Sequence, residues 1–258
     1  MINHLSYNDL LTKKLYNDNN KCPYYDECSN SMSCKNKLKF YRTRIGLNYD
    51  NAPIKILVVG QEDVGEGKQY SCCEPCTMED AGYNPHYLRT FYTVAQILLE
   101  SKDLPESFSK KDMSQSKFED LRHSFALTNY YKCAFSNNNN SKVKHSPTME
   151  KNCSKHLLQE IEILKPDIVI IQGRDHENFW NQINYSEVVK ITMKIPTKSQ
   201  EGTFEIGLYK ATIKNNTFLV IDSYHPTSWV WTNNEMIKYF IQLLKTAKEL
   251  CQTKNSEL

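Results

Sequence analysis

No apolar run in this 258-residue chain approaches the roughly 20 residues that a bilayer-spanning helix needs. A membrane role is therefore not expected. The start, Met1-Ile2-Asn3-His4-Leu5, lacks a basic stretch followed by an apolar one, so no secretory signal is expected and the cytoplasm is the expected location. A strong charge imbalance is missing too. With a formal net charge of only +2, any grip on nucleic acid has to come from a local basic face. Internal repeats and composition shifts are absent, which points to one domain over 1–258 with a cysteine-containing N-terminal segment, 1–50. Nothing marks an obligate protein partner, and a monomer is expected.

Hydrophobic residues make up 40% of the chain and charged residues 24%, enough apolar material for a globular core. The run from Ile54 to Val59, interrupted only by Lys55 near its start, is otherwise apolar and reads as a strand buried on both faces. It ends at Gly60, followed by Gln61, Glu62 and Asp63. Phe125–Asn129, Asp167–Gly173 and Phe218–Asp222 read the same way. Helical spacing predicts helices over Leu5–Leu15, over His86–Glu100 with Leu88, Phe91, Val94 and Leu98 inward, and around Ile237–Leu244. Ser146-Pro147 offers a capping hydroxyl and a first-turn proline for another helix, which Lys165-Pro166 stops. Residues 203–213 alternate like a hairpin arm. Four buried strands alternating with helices predict an α/β fold. The expected architecture is a three-layer αβα sandwich with a central four-stranded, mostly parallel sheet.

In such a sheet, ligands meet the carboxyl ends of the strands. Three of those ends carry polar groups: Glu62 and Asp63, Asn129, and His225. A carboxylate, an amide and an imidazole are thus expected along one edge.

Nine cysteines are many for a chain without an export signal, and in a reducing compartment clustered cysteines more often serve metals or redox chemistry than disulfides. The segment holding Cys22, Cys28 and Cys34 has little core material of its own, and a metal cross-link would explain its order. Cys72, Cys73 and Cys76 form a separate group with no assigned role.

Taken together, these segments resemble the uracil-DNA glycosylase superfamily. Gly60-Gln61-Glu62-Asp63 is similar to its first motif, GQDP in one branch and GEGPG in another. His225-Pro226-Thr227-Ser228-Trp229 is similar to its second, HPSPL or HPAYL. Thr128-Asn129-Tyr130-Tyr131-Lys132-Cys133 is similar to the TNVVKC segment of the iron–sulfur branch. The resemblance spans roughly residues 22–245.

The resemblance implies a DNA glycosylase that flips a pyrimidine into a pocket and hydrolyses its N-glycosidic bond. Asn129 would read the base edge, and His225 would donate to the base oxygen that gathers charge. Glu62, on the position of the GQDP aspartate, would orient water or offset the sugar cation, with Asp63 as second choice. Gly60 and Gln61 would add backbone contacts to the base. Tyr87, with Tyr83 and His86 as alternatives, would stack on it. Trp229, Trp231 and Lys132 would touch DNA, the alternative for one of the two tryptophans being packing under the last helix. Cys133 and Cys153 match the branch's later cluster cysteines. Cys28 and Cys34 would supply the earlier pair, with Cys22 as a substitute, for a four-iron four-sulfur cluster or, alternatively, zinc.

The chain departs from the pattern at Asp63-Val64, where a proline is usual, and in the wide spacing of its first cysteines. Those departures admit a modified pyrimidine as substrate, including hypermodified bases of foreign DNA attacked in defence. A non-catalytic DNA-binding module of the same fold is the alternative from another class. A nucleotide-binding α/β protein is a weaker one, since the glycines at 60, 65 and 67 match neither phosphate-loop pattern.

Overall fold

The computed structural model describes residues 7–16, 22–31, 38–40, 42–60, 85–99, 120–135, 145–173, 176–196, 201–226 and 228–256. In chain order the elements are α1 (Tyr7–Leu15), α2 (Tyr25–Asn30), β1 (Leu38–Phe40), β2 (Arg44–Ile45), β3 (Ile56–Gly60), α3 (Pro85–Leu98), β4 (Ala126–Asn129), β5 (Cys133–Phe135), α4 (Pro147–Leu164), β6 (Ile168–Gln172), α5 (Glu177–Trp180), β7 (Asn184–Pro196), β8 (Glu201–Ile213), β9 (Asn216–Ser223) and α6 (Asn234–Ser256).

The unbroken apolar run of β3 is explained by burial on both sides. Successive strand side chains point to opposite faces. Ile56 and Val58 enter one core cluster, and Leu57 and Val59 the other. Ile168 and Ile170 of β6 divide from Val169 and Ile171 in the same way. One face is covered by Phe91, Val94 and Ala95 of α3 and by Met236, Phe240 and Leu244 of α6. The other is covered by Leu11 and Leu15 of α1, Leu157 and Ile161 of α4, and Phe179 of α5. Each such aliphatic or aromatic side chain contributes about 1.5–3 kcal/mol by leaving water.

Helix α4 begins and ends as its sequence predicts. The Ser146 hydroxyl accepts the Met149 amide N–H at 3.1 Å, and Pro147 fills the first turn. Lys165 takes a left-handed conformation, φ 46°, and its N–H closes on the Ile161 carbonyl before Pro166 redirects the chain.

The sheet is larger than the expected four strands and only partly parallel. Among the described residues it has seven, in the order β2-β4-β3-β6-β9-β8-β7. The four expected strands, β4, β3, β6 and β9, run parallel at its centre. Antiparallel β2 flanks one side, and the long β7–β8 hairpin flanks the other. The arm expected at 203–213 is β8, and β7 is its partner. Being an outer strand, β7 alternates exposed Lys190, Thr192 and Lys194 with Val189, Ile191 and Met193, which are only half-buried. A register shift between Glu187 and Val189 interrupts that alternation. A second sheet pairs β1 with β5, Phe40 opposite Cys133.

Candidate active site

The parallel register aligns four strand ends in one row. Asn129 pairs with Gly60, Gly60 with Gln172, and Gln172 with Ser223. All four lie two positions beyond residues of the α3/α6 core, such as Val58, Leu127, Ile170 and Ile221, so all four face that side of the sheet. Gly60 is required by its neighbour. A Cβ placed there would meet Asn129 Oδ1 at 2.9 Å, so the missing side chain is what lets the Asn129 amide lie over the β3 end. The Tyr130 N–H donates to the Gly60 carbonyl at 2.7 Å and ties the two strand ends together. Beyond Gln172 the chain turns away through Gly173, whose φ of 146° suits glycine.

His225 follows Ser223 by two residues, so it lies past the same edge. Its loop is braced from three sides. The Ser228 N–H and the Trp231 indole Nε1–H donate to the His225 carbonyl at 2.8 and 2.9 Å. The Arg89 guanidinium of α3 donates to the Pro226 carbonyl. Burial holds the Arg89 pKa below the usual guanidinium value. The Tyr224 hydroxyl accepts the Glu205 N–H at 2.9 Å and anchors the loop's start to β8. Thus Gly60, Asn129 and His225 share one rim.

Gln61, Glu62, Asp63, Tyr83 and Cys34 lie outside the described residues, and so do Cys72, Cys73 and Cys76. For Tyr87, His86 and Trp229 the side chains lie outside them.

Two expected DNA contacts are corrected. Trp231 is buried in the core, its ring 4.8 Å from Phe240 and 6.5 Å from Tyr224, so it packs beneath α6 and cannot meet DNA. Lys132 is fully buried and cannot touch a phosphate. Its ammonium donates to Glu160 Oε2 at 2.5 Å and to the Thr128 hydroxyl. Glu160, equally buried, also accepts the Thr43 hydroxyl at 2.5 Å and the Thr128 hydroxyl at 3.1 Å, and it faces His156 Nε2 at 3.5 Å. Burial pushes the Glu160 carboxyl up. The Lys132 charge and His156 outweigh that effect and hold it down at about 2. Sequence reading missed this network because Thr43, Lys132 and Glu160 come from three separate segments, with Thr43 lying 117 and Lys132 28 residues from Glu160, and only folding brings them together.

Beside the network lie four buried thiols: Cys22 and Cys28 from the N-terminal segment, Cys133 from β5 and Cys153 from α4. Cys22, Cys28 and Cys133 share one cluster with Met149. None of the four is in a disulfide. Burial pushes Cys22 up to about 12 and Cys153 up to about 11, and it raises Cys28 and Cys133 as well; neighbouring cysteines add to the rise at Cys22, Cys133 and Cys153. The Lys132 backbone N–H points at Cys153 Sγ at 3.4 Å, the Asn152 amide at Cys28 Sγ at 3.7 Å, and His156 Nδ1 stands 3.9 Å from Cys22 Sγ. Among the described residues, no three or more His, Cys, Asp or Glu side chains stand in metal-holding geometry. In donor chemistry, though, four thiols from three segments, none in a disulfide, are of the type that holds a thiolate-bound metal.

Polar groups gathered at the carboxyl ends of the parallel strands, at the centre of a doubly covered mixed sheet, define an α/β protein whose candidate ligand site is that edge. The chain belongs to the uracil-DNA glycosylase superfamily, whose family model matches residues 49–248. No curated protein matches the chain. Among the described residues, no helix is long and apolar enough to cross a membrane.

Proposed function

We propose that the protein is a DNA glycosylase that hydrolyses the N-glycosidic bond of a flipped-out uracil or modified pyrimidine and leaves an abasic site. One observation carries the reading: Asn129 lies over a side-chain-free Gly60, with the braced His225 loop on the same rim, in a chain of this superfamily.

The Asn129 amide offers one donor group and one acceptor, which suits the polar edge of a pyrimidine. His225 donates to the base oxygen on which charge develops as the bond breaks. One such fixed donor is typically worth about 3–4 kcal/mol. Glu62 orients the water or offsets the cationic sugar, with Asp63 as the second choice. An aromatic ring, Tyr87 or Tyr83, stacks on the base, and Trp229 enters the duplex beside the vacated position.

The four thiols would hold a structural metal, a four-iron four-sulfur cluster first and zinc second. Cys22 then stands with Cys28 as the N-terminal pair. The group would cross-link the N-terminal segment to β5 and α4. Because burial keeps the thiols protonated, loading releases protons and weakens as pH falls.

The test incubates purified protein with DNA carrying uracil or modified pyrimidines, bulky modified cytosines included, and then cleaves abasic sites with alkali. Strand breaks at one class of base are expected, and they should be lost in His225→Ala. Intact strands across the whole panel would remove the enzyme and leave a DNA-binding module. Metal and sulfide analysis decides between the cluster and zinc, and Cys22→Ser should lower metal content.

A further inference from the structure

The strand β6 reads Ile168-Val169-Ile170-Ile171 and then, at its carboxyl end, Gln172. A polar side chain closing such a strand is costly to bury unless its hydrogen bonds are met, by about 1–3 kcal/mol for each group left unpaired. Gln172 is only 5% exposed. Its Oε1 accepts the Thr90 hydroxyl of α3 at 2.9 Å, which fixes the amide and turns its NH2 away from Thr90. No described residue pairs with that NH2, and it is not one of the fully buried side-chain atoms left without a partner, so it keeps some access to solvent.

The register adds direction. Gln172 and Asn129 flank Gly60 on neighbouring strands and face the same side of the sheet. Two strand spacings put their Cα atoms about 10 Å apart, with no side chain between them. Asn129 already leans over that gap. Beside the Asn129 amide, which itself lies over Gly60, a flat heterocycle at this rim therefore has Gln172 on its other side.

We propose that Gln172 is a specificity-determining residue of this site, a second amide that, set by Thr90, donates to a carbonyl oxygen of the extruded base. The proposal rests on the glycosylase reading and extends it. The ligand class is a pyrimidine presenting an acceptor, not an amino group, towards β6. If Gln172 only pinned α3 to the sheet, substrate choice would not depend on it.

The experiment measures kcat/KM on a matched pair of DNA substrates, one with a 4-oxo and one with a 4-amino pyrimidine, together with inhibition by the free bases. Gln172→Leu keeps the volume and removes the donor. It should lower kcat/KM on the preferred base by about ten- to a hundredfold and weaken inhibition by that free base alike. Gln172→Glu, which replaces the donor by an acceptor, should shift the ratio towards the amino base. Thr90→Val leaves Gln172 in place but unset and should narrow the ratio between the two bases, which keeps the proposal testable if Gln172→Leu does not fold. An active wild type whose Gln172→Leu and Thr90→Val variants keep both rate and ratio overturns this inference alone. A wild type silent on every base removes the glycosylase reading and this inference with it.

Discussion

Gly60 shows how much one missing side chain decides. A Cβ there would stand 2.9 Å from Asn129 Oδ1, and the atom that has to give way is the end of a side chain. In Gly60→Ala, stability should stay within about 1 kcal/mol of wild type by chemical denaturation. Excision should fall about a hundredfold, because the amide is displaced from the base. Glu160 makes the opposite case, stability without contact to substrate. Its folded pKa of about 2 lies below the ordinary value near 4.3. The sign follows directly: a carboxyl held below its ordinary value adds stability that is complete above about pH 4.3 and is lost as pH falls through the lowered folded value. Denaturation midpoints between pH 5 and pH 2 should show that slope, and Glu160→Gln should flatten it. Sequence spacing anticipated that Asn129 ends one central strand and that His225 follows another, because an apolar run stops just before each. It misplaced Lys132 and Trp231 because neither a lysine nor a tryptophan declares its burial. That depends on Glu160 and Phe240, which only the fold supplies.

At the scale of elements, the central strands were legible because double-sided burial leaves an unbroken apolar run, as in Ile56–Val59. The flanks were not. β2 is two residues long, and β7 mixes charges with half-buried aliphatics, so neither carries a clean period. The polar end of β6 was visible in the sequence, yet only register places Gln172 beside Gly60. The His225 loop gives an element-level test. Trp231 fills core space with its ring and holds the loop with its indole N–H. Trp231→Phe keeps most of the first and removes the second. Excision should drop about tenfold, while the melting transition should shift by no more than the roughly 1 kcal/mol of one hydrogen bond.

Across the whole molecule, the N-terminal segment folds into the same body as the sheet. Leu11 and Leu15 are 1% and 4% exposed within the cluster that covers the α4 side of the sheet, and Arg44 and Ile45 extend the sheet beyond β4. The family match begins only at residue 49 and leaves all of this outside. A version cut to residues 49–248 would lose two of the four buried thiols and uncover Leu157 and Ile161 along α4. It should collect in the pellet after lysis, and any recovered portion should bind the dye ANS and melt without a cooperative transition. Trimming to the recognisable part would discard the wedge that keeps α4 dry, so deletion scanning from the front would mistake a collapsed scaffold for a missing catalyst.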